Sequence, residues 1–186
     1  KSGLRRRGAN RRPLLTISER GRPRQKIRSL CTGESLTNWV QFMLNVAMVG
    51  CGRIAKRHSE LLGNNQIRGM RLVAVCDVKA ENARVVGEQF GIPHYDDMDR
   101  MMQSEAIDLV VVLTPTGDHA RNVIKLAGYQ KAIIVEKPMA LTLDDADAMI
   151  EACDVNGCRL FVVKQNRFNV PVVKLREAVE AGRFGK

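Results

Sequence analysis

Gly50-Cys51-Gly52-Arg53-Ile54-Ala55 is the stretch of sequence that decides the fold of this chain. It follows a short apolar run at 44–49, which favours a β-strand, and it leads into a helix-favouring run at 53–62. Gly50 permits a sharp turn, and Gly52 has no Cβ, so the backbone can approach a pyrophosphate closely. The pattern G-x-G-x-x-A in this context is typical of dinucleotide binding. An ordinary tight turn between a strand and a helix is the alternative.

The helix after this turn contributes two further features of a dinucleotide site. Ala55 is small enough for the helix to pack close to the preceding strand. The free N–H groups at the start of the helix face the phosphates, and the positive end of the helix dipole adds to their attraction.

A second predicted strand, at 71–76, ends in Asp77. Asp77 lies 22 positions after Ala55, close to the spacing of about 20 that is usual for the acid that binds ribose. Its carboxylate would accept hydrogen bonds from the adenosine ribose and repel a 2′-phosphate. No Arg follows it, so NAD is favoured over NADP, although Lys79 could reach a phosphate. Capping of a helix that begins at Ala80 is a second role open to Asp77.

The net charge of +10 comes almost entirely from one end of the chain. Residues 1–42 contain 11 Lys and Arg against 2 Asp and Glu, whereas residues 43–186 contain 19 against 18. The first segment has few apolar residues in a regular pattern, so we expect a basic, disordered tail. The second segment is the expected NAD(P)-binding domain. Its near-neutral charge argues against nucleic-acid binding by the domain itself.

The basic segment has three interpretations. It has no apolar core of a signal peptide, and its Arg-rich, acid-poor composition loosely resembles an organelle transit peptide. An arm that binds nucleic acid is a second interpretation. The favoured one is a natural start at Met43, directly before the first strand, with upstream sequence carried along. A short helical turn is also predicted at 33–40.

The cysteines and histidines favour a reduced, cytoplasmic protein without a bound metal. The five cysteines are an odd number and contain no C-x-x-C pair, so neither a disulfide framework nor structural zinc is expected. The three histidines are widely separated in the sequence. No apolar run approaches the roughly 18 residues of a membrane span, so no membrane partner is expected.

Strands and helices alternate through the rest of the chain, which predicts an α/β fold with a doubly wound parallel sheet of the Rossmann type. Further helices are predicted at 80–90, 97–103, 117–128, 142–155 and 170–181. Further strands are predicted at 92–95, 108–113, 132–135 and 159–163. Ligands bind such sheets at the carboxyl ends of the strands, where the polar clusters of this sequence lie.

Glu136-Lys137-Pro138 follows the predicted strand at 132–135. This position places the Lys137 ammonium group beside the expected nicotinamide site. A lysine there can donate a hydrogen bond to the oxygen of the substrate hydroxyl that undergoes oxidation. It can also pass on the proton of that hydroxyl. Pro138 would fix the turn, with a cis bond as one way to do so. A surface lysine after a strand is the alternative.

Two more polar clusters follow predicted strands. In the expected contact loop Thr114-Pro115-Thr116-Gly117-Asp118-His119, Thr116 is a candidate for cofactor contact, with a helix cap as the alternative. His119 is a candidate for cofactor or substrate contact or for a role in the first helical turn. Gln165, with Asn166 and Arg167, could reach the nicotinamide or a sugar hydroxyl. A merely polar strand end is the alternative.

These motifs together resemble the glucose–fructose oxidoreductase/inositol dehydrogenase/MocA (Gfo/Idh/MocA) family over residues 44–186. The resemblance implies NAD(P)-dependent hydride transfer from a sugar, nucleotide-sugar or cyclitol hydroxyl, with Lys137 as the catalytic lysine. The implied cofactor residues are Gly50, Gly52, Arg53 and Ile54 for the pyrophosphate, Asp77 for the ribose, and Thr114, Pro115 and Glu136 for the nicotinamide side. Residues 163–169 and 181–185 look most like dehydrogenases that act on UDP-N-acetylglucosaminuronate in surface-polysaccharide pathways.

The resemblance also implies a second, α+β domain that supplies the substrate pocket, a catalytic His or Asp and the oligomer interface. The chain stops at Lys186, about where that domain would begin, so we expect weak NAD binding without turnover. A non-catalytic NAD-binding regulator of the same fold is the alternative function. The presence of Lys137 in the Glu-Lys-Pro motif favours the enzyme.

Overall fold

Strands and helices alternate along residues 43–185, the part of the chain that the computed structural model describes. The strands are β1 (Leu44–Val49), β2 (Met70–Cys76), β3 (His94–Tyr95), β4 (Leu109–Val112), β5 (Ala132–Val135) and β6 (Leu160–Val162). The helices are α1 (Ala55–Gly63), α2 (Ala80–Phe90), α3 (Met98–Ser104), α4 (His119–Ala127), α5 (Leu143–Val155) and α6 (Val170–Glu180). The predictions for the basic segment and for the turn at 33–40 lie outside the described residues.

The six strands form one parallel sheet in the order β3-β2-β1-β4-β5-β6. The direction of winding reverses between β1 and β4, so their carboxyl ends form a topological switch point, where ligands bind in such sheets. The predicted doubly wound parallel sheet is therefore confirmed.

Helices cover both faces of this sheet, because successive side chains of each strand point to opposite faces. One core contains Val46 and Met48 of β1 with residues of α1 and α2. The other contains Ala47 and Val49 of β1 with residues of α3, α4 and α5. Ala55 is fully buried at the start of α1, as its small size predicted.

Several elements begin or end a few residues away from their predicted bounds. Helix α1 begins at Ala55 instead of residue 53, because Gly52 to Ile54 form a turn closed by a hydrogen bond from the Ala55 amide to the Gly52 carbonyl. Helix α4 begins at His119 after a 3-10 turn at Thr116–Asp118. Strand β3 is only two residues long, and the preceding Pro93 has no N–H to extend the pairing.

The last elements of the chain leave apolar side chains exposed. No residue of α6 is buried. Phe161 of β6 is 50% exposed, and Leu175 of α6 and Phe184 after it are 57% and 68% exposed. This end of the sheet therefore has an apolar surface without a cover among residues 43–185.

Candidate dinucleotide-binding cleft

The two glycines of the turn after β1 have different surroundings. Gly50 has a φ of +97°, and a Cβ built on it would lie 2.7 Å from the carbonyl carbon of Leu113 after β4. Gly50 therefore allows the turn to pass against the end of the neighbouring strand. A Cβ on Gly52 would meet nothing within 4 Å. Gly52 thus borders a space that none of residues 43–185 fills, as expected for close approach of a ligand.

Asp77 connects this turn to the end of β2. Its Oδ2 accepts a hydrogen bond of 2.7 Å from the Cys51 amide, and its Oδ1 accepts one of 2.8 Å from the Lys79 amide. The half-buried carboxylate retains further lone pairs toward the cleft. The alternative role as a cap of α2 is not what the structure shows, because Lys79 is the capping residue and its side chain makes no capping bond.

The start of α1 presents unpaired backbone donors. Within residues 43–185, the amides of Gly52, Arg53 and Ile54 have no protein acceptor. Ile54, the residue at the N-terminal cap position, makes no side-chain capping bond either. Such a group of N–H donors at the positive end of a helix suits a phosphate or pyrophosphate.

A cleft of about 760 Å³ opens at the carboxyl ends of β1, β2 and β4. Seven residues predicted for the cofactor line it, namely Gly50, Gly52, Arg53, Ile54, Asp77, Thr114 and Pro115. Five other predicted residues do not line it, namely Thr116, His119, Glu136, Lys137 and Gln165. The cleft therefore brings together the predicted pyrophosphate and ribose residues, while the predicted lysine turn lies outside it.

Some residues of the cleft were not anticipated from the sequence. Val78, Asn82 and Met98 line it. So do Asn122 and Lys125 of α4 and Asp118, which directly precedes that helix. The last three are spaced four and three positions apart, a helical period that could have indicated a common face. Val78 and Met98 required knowledge of how the loops after β2 and β3 converge.

The cysteines beside the cleft are unsuited to nucleophilic chemistry. Burial, followed by the charge of Asp77, raises the pKa of Cys51 to about 12. Burial also raises the pKa of Cys76 to about 12, with Asp97 and Asp77 adding to the effect. Both side chains are therefore neutral thiols near pH 7.

The turn Glu136-Lys137-Pro138 follows β5 at the same edge of the sheet. Glu136 is 8% exposed, and its Oε2 accepts a hydrogen bond of 2.9 Å from the Lys137 amide. Its Oε1 lies 3.2 Å from Nε2 of His58 on α1. The Lys137–Pro138 bond is cis, and the Lys137 side chain is exposed, so it can meet a ligand at this edge.

His119 does not contact the cleft, contrary to the contact considered from the sequence. It is 1% exposed, and its ring nitrogens lie 3.0 Å from the Pro138 carbonyl oxygen and 2.9 Å from that of Thr114. The ring therefore sits in the first turn of α4, the other role considered, and connects the loops after β4 and β5. The sequence could not show this role, because Pro138 is 19 residues away.

Thr116 and Gln165 lie in short 3-10 turns and do not line the cleft. Thr116 lies in the 3-10 turn before α4 and does not cap that helix, because the capping residue is Asp118 and no side-chain capping bond is made. Thr114 of the same loop has a side-chain partner on α4, since Asn122 Nδ2 donates to its Oγ1 at 3.0 Å. Gln165 is exposed in a 3-10 turn, Gln165–Phe168, after β6.

No cluster of three or more His, Cys, Asp or Glu side chains in residues 43–185 could hold a metal ion. None of the six helices is both long enough and apolar enough to span a membrane.

Comparison with known proteins identifies the family. Residues 44–164 match the Gfo/Idh/MocA family model, described as an oxidoreductase family with an NAD-binding Rossmann fold. D-apiose dehydrogenase of Paraburkholderia graminis is 36% identical over 141 residues, which cover 75% of this chain and 37% of that protein. Myo-inositol 2-dehydrogenase of Thermotoga maritima is 34% identical over 144 residues, which cover 77% and 42%.

A solved structure has a similar fold. The WlbA dehydrogenase of Bordetella pertussis, in complex with NADH and UDP-GlcNAcA, superposes with a TM-score of 0.73 at 34% identity. The match covers 77% of this chain and 44% of that one. The chain thus spans less than half the length of each of these three relatives. It belongs to the Gfo/Idh/MocA oxidoreductase family, and residues 44–164 are its NAD-binding Rossmann domain.

Proposed function

We propose that this domain holds NAD for the oxidation of a sugar or cyclitol hydroxyl, with Lys137 as the catalytic lysine. The observation that supports it most strongly is the turn at Gly52, where an open space adjoins three amides that have no acceptor within residues 43–185 and faces Asp77 across one cleft. These are the groups that a dinucleotide requires, namely donors for the pyrophosphate and an acceptor for the ribose.

The proposed placement of the cofactor follows from the chemistry of the cleft. The amides of Gly52, Arg53 and Ile54 would bind the pyrophosphate, and the Arg53 side chain, which is exposed at the cleft, would add a positive charge. Asp77 would accept hydrogen bonds from the adenosine ribose and disfavour a 2′-phosphate. Thr114, Pro115 and the turn at Glu136 would adjoin the nicotinamide half.

Lys137 would act on the substrate hydroxyl. When bound, NAD supplies the hydride acceptor for the carbon that bears this hydroxyl. The Lys137 Nζ, as the neutral amine, would accept the hydroxyl proton, and the ammonium group so formed would donate a hydrogen bond to the substrate oxygen. Gln165 on the exposed turn after β6 would contact the substrate or the nicotinamide side.

The three relatives named above differ in the substrate that their names give, so the finer assignment is ours. We favour a nucleotide sugar related to UDP-N-acetylglucosaminuronate, because residues 163–169 and 181–185 resemble those of such dehydrogenases. Inositol and apiose dehydrogenases are similarly close in sequence. Oxidation of inositol but of no nucleotide sugar would reject this assignment and leave the general function standing.

We also propose a second domain, supplied by sequence beyond Lys186, that provides the substrate pocket and the interface of a homo-oligomer. The exposed apolar side chains of β6 and α6, among them Phe161 and Leu175, support this proposal. So does the limited share of the relatives that the chain covers.

The test of the catalytic role compares Lys137→Met with wild type in the full-length protein. Loss of the Lys137 amine removes the proton acceptor, which contributes about 10²–10⁴-fold in typical enzymes, so kcat should fall by about that factor. The Kd for NAD should change far less than kcat, because the pyrophosphate and ribose residues that line the cleft are left intact. Equal turnover by both proteins would contradict the assignment, and saturable NAD binding without any sugar or cyclitol oxidation by wild type would favour the regulator.

A further inference from the structure

The carboxylate of Glu136 is held from two directions. Its two oxygens accept hydrogen bonds from the Lys137 amide, at 2.9 Å, and from Nε2 of His58, at 3.2 Å. Because a carboxylate only accepts, Nε2 of His58 is the donor. The Glu136 side chain is 10% exposed and that of His58 is 26% exposed, so water competes little for the carboxylate.

His58 lies on the helix that begins at the proposed phosphate site. It is the fourth residue of α1, and 78 positions separate it from Glu136. The same short helix thus presents its N-terminal amides to the cleft and contacts the turn that carries Lys137. A movement of this turn relative to α1 would break the bond between His58 and Glu136.

We propose that His58 is a positioning residue for Lys137 that acts through Glu136. The imidazole fixes the carboxylate, the carboxylate fixes the Lys137 amide, and the turn holds the lysine at a set distance from the phosphate-binding end of α1. The importance of this position for catalysis rests on the proposed function. The two hydrogen bonds that link His58, Glu136 and Lys137 do not depend on that function.

The test compares His58→Leu with His58→Gln, whose amide can still donate to Glu136. His94→Leu is the control, because His94 is exposed on β3, at the far edge of the sheet from β5. The first measurement is hydrogen exchange of the Lys137 amide, followed by NMR on the 186-residue chain. The second is the ratio of the affinities for NADH and ADP-ribose, which isolates the nicotinamide half.

Exchange at Lys137 should become about tenfold faster in His58→Leu, the factor expected when one hydrogen bond of ordinary net strength is lost. It should stay near wild type in His58→Gln and in the control. The affinity for ADP-ribose should be unchanged in all variants, while that for NADH should fall several-fold in His58→Leu alone. If His58→Leu does not fold, His58→Asn, whose amide is too short to reach Glu136, takes its place.

Unchanged exchange at Lys137 in a folded His58→Leu variant would overturn the proposal. Equal acceleration in His58→Leu and His58→Gln would also overturn it, because packing alone would then explain the effect. Failure of the proposed function would appear elsewhere, as unimpaired turnover in Lys137→Met, and would leave the exchange result intact.

Discussion

Gly50 and Gly52 are two positions apart and serve different purposes. Gly50 is required by the folded chain, because its backbone is left-handed and the chain after β4 leaves no room for a Cβ. Gly52 is not required for packing, since a Cβ there would lie in open space. The sequence predicted both glycines of the turn, but only the structure separates the one that serves the fold from the one that leaves space for a ligand.

Gly50→Ala and Gly52→Ala should therefore have opposite effects. Gly50→Ala should lower the free energy of unfolding by about 2 kcal/mol or more, from backbone strain and steric overlap. Gly52→Ala should leave stability within about 0.5 kcal/mol of wild type and weaken NAD binding by about tenfold or more, because overpacking costs roughly 1–3 kcal/mol. Urea denaturation and calorimetric titration measure the two. Wild-type NAD affinity in Gly52→Ala would contradict the placement of the pyrophosphate.

Asp77→Asn should change the choice between cofactors. The amide oxygen can still accept from the Cys51 or Lys79 amide, so the turn should persist. The lost charge should weaken NAD binding by about tenfold, since a hydrogen bond to a charged group contributes roughly 1.5–3 kcal/mol. NADP binding should fall less, because repulsion of its 2′-phosphate is removed. Titration with both cofactors measures this, with Asp147→Asn on α5 as the control. Unchanged affinities for both would reject the ribose contact.

Among the secondary-structure elements, helix α4 connects the loops around the cleft. Its first residue, His119, contacts the Thr114 and Pro138 carbonyls, and Asn122 holds the Thr114 hydroxyl. Sequence periodicity predicted α4 well enough, but its contacts join loops that follow different strands. Such long-range contacts leave no local pattern, which is why the links from His119 to Pro138 and from His58 to Glu136 were not predicted, whereas the alternation of strands and helices was.

His119→Phe should destabilise the domain without changing the lining of the cleft, because His119 does not line it. At least one of the two carbonyls, those of Thr114 and Pro138, would lose the N–H donor of the buried ring, which costs about 1–3 kcal/mol for an unsatisfied group. We expect the free energy of unfolding to fall by about 2 kcal/mol or more, measured by urea denaturation. His94→Phe should lower it less, because His94 is exposed, with one side of its ring beside Gly87 of α2. Equal stability of the two variants would show that the ring does not connect the loops.

For the whole molecule, local sequence is enough to predict the fold and the proposed pyrophosphate- and ribose-binding residues of the cleft. The glycine turn, Asp77 and the buried apolar strands each have a local signature, and they meet because parallel strands end at one edge. The extent of the cleft and the links to the lysine turn depend on packing between distant segments. The exposed apolar surface of β6 and α6 likewise emerges only when the sheet is assembled.

The most direct test of the central claim is a crystal structure of the 186-residue chain with NADH. Pyrophosphate oxygens should lie within hydrogen-bonding distance of the Gly52, Arg53 and Ile54 amides, and the adenosine ribose should lie on Asp77. The nicotinamide ring should lie beside the Lys137–Pro138 turn. Pyrophosphate bound elsewhere, or the nicotinamide at Asp77 with the adenine toward Lys137, would contradict this placement.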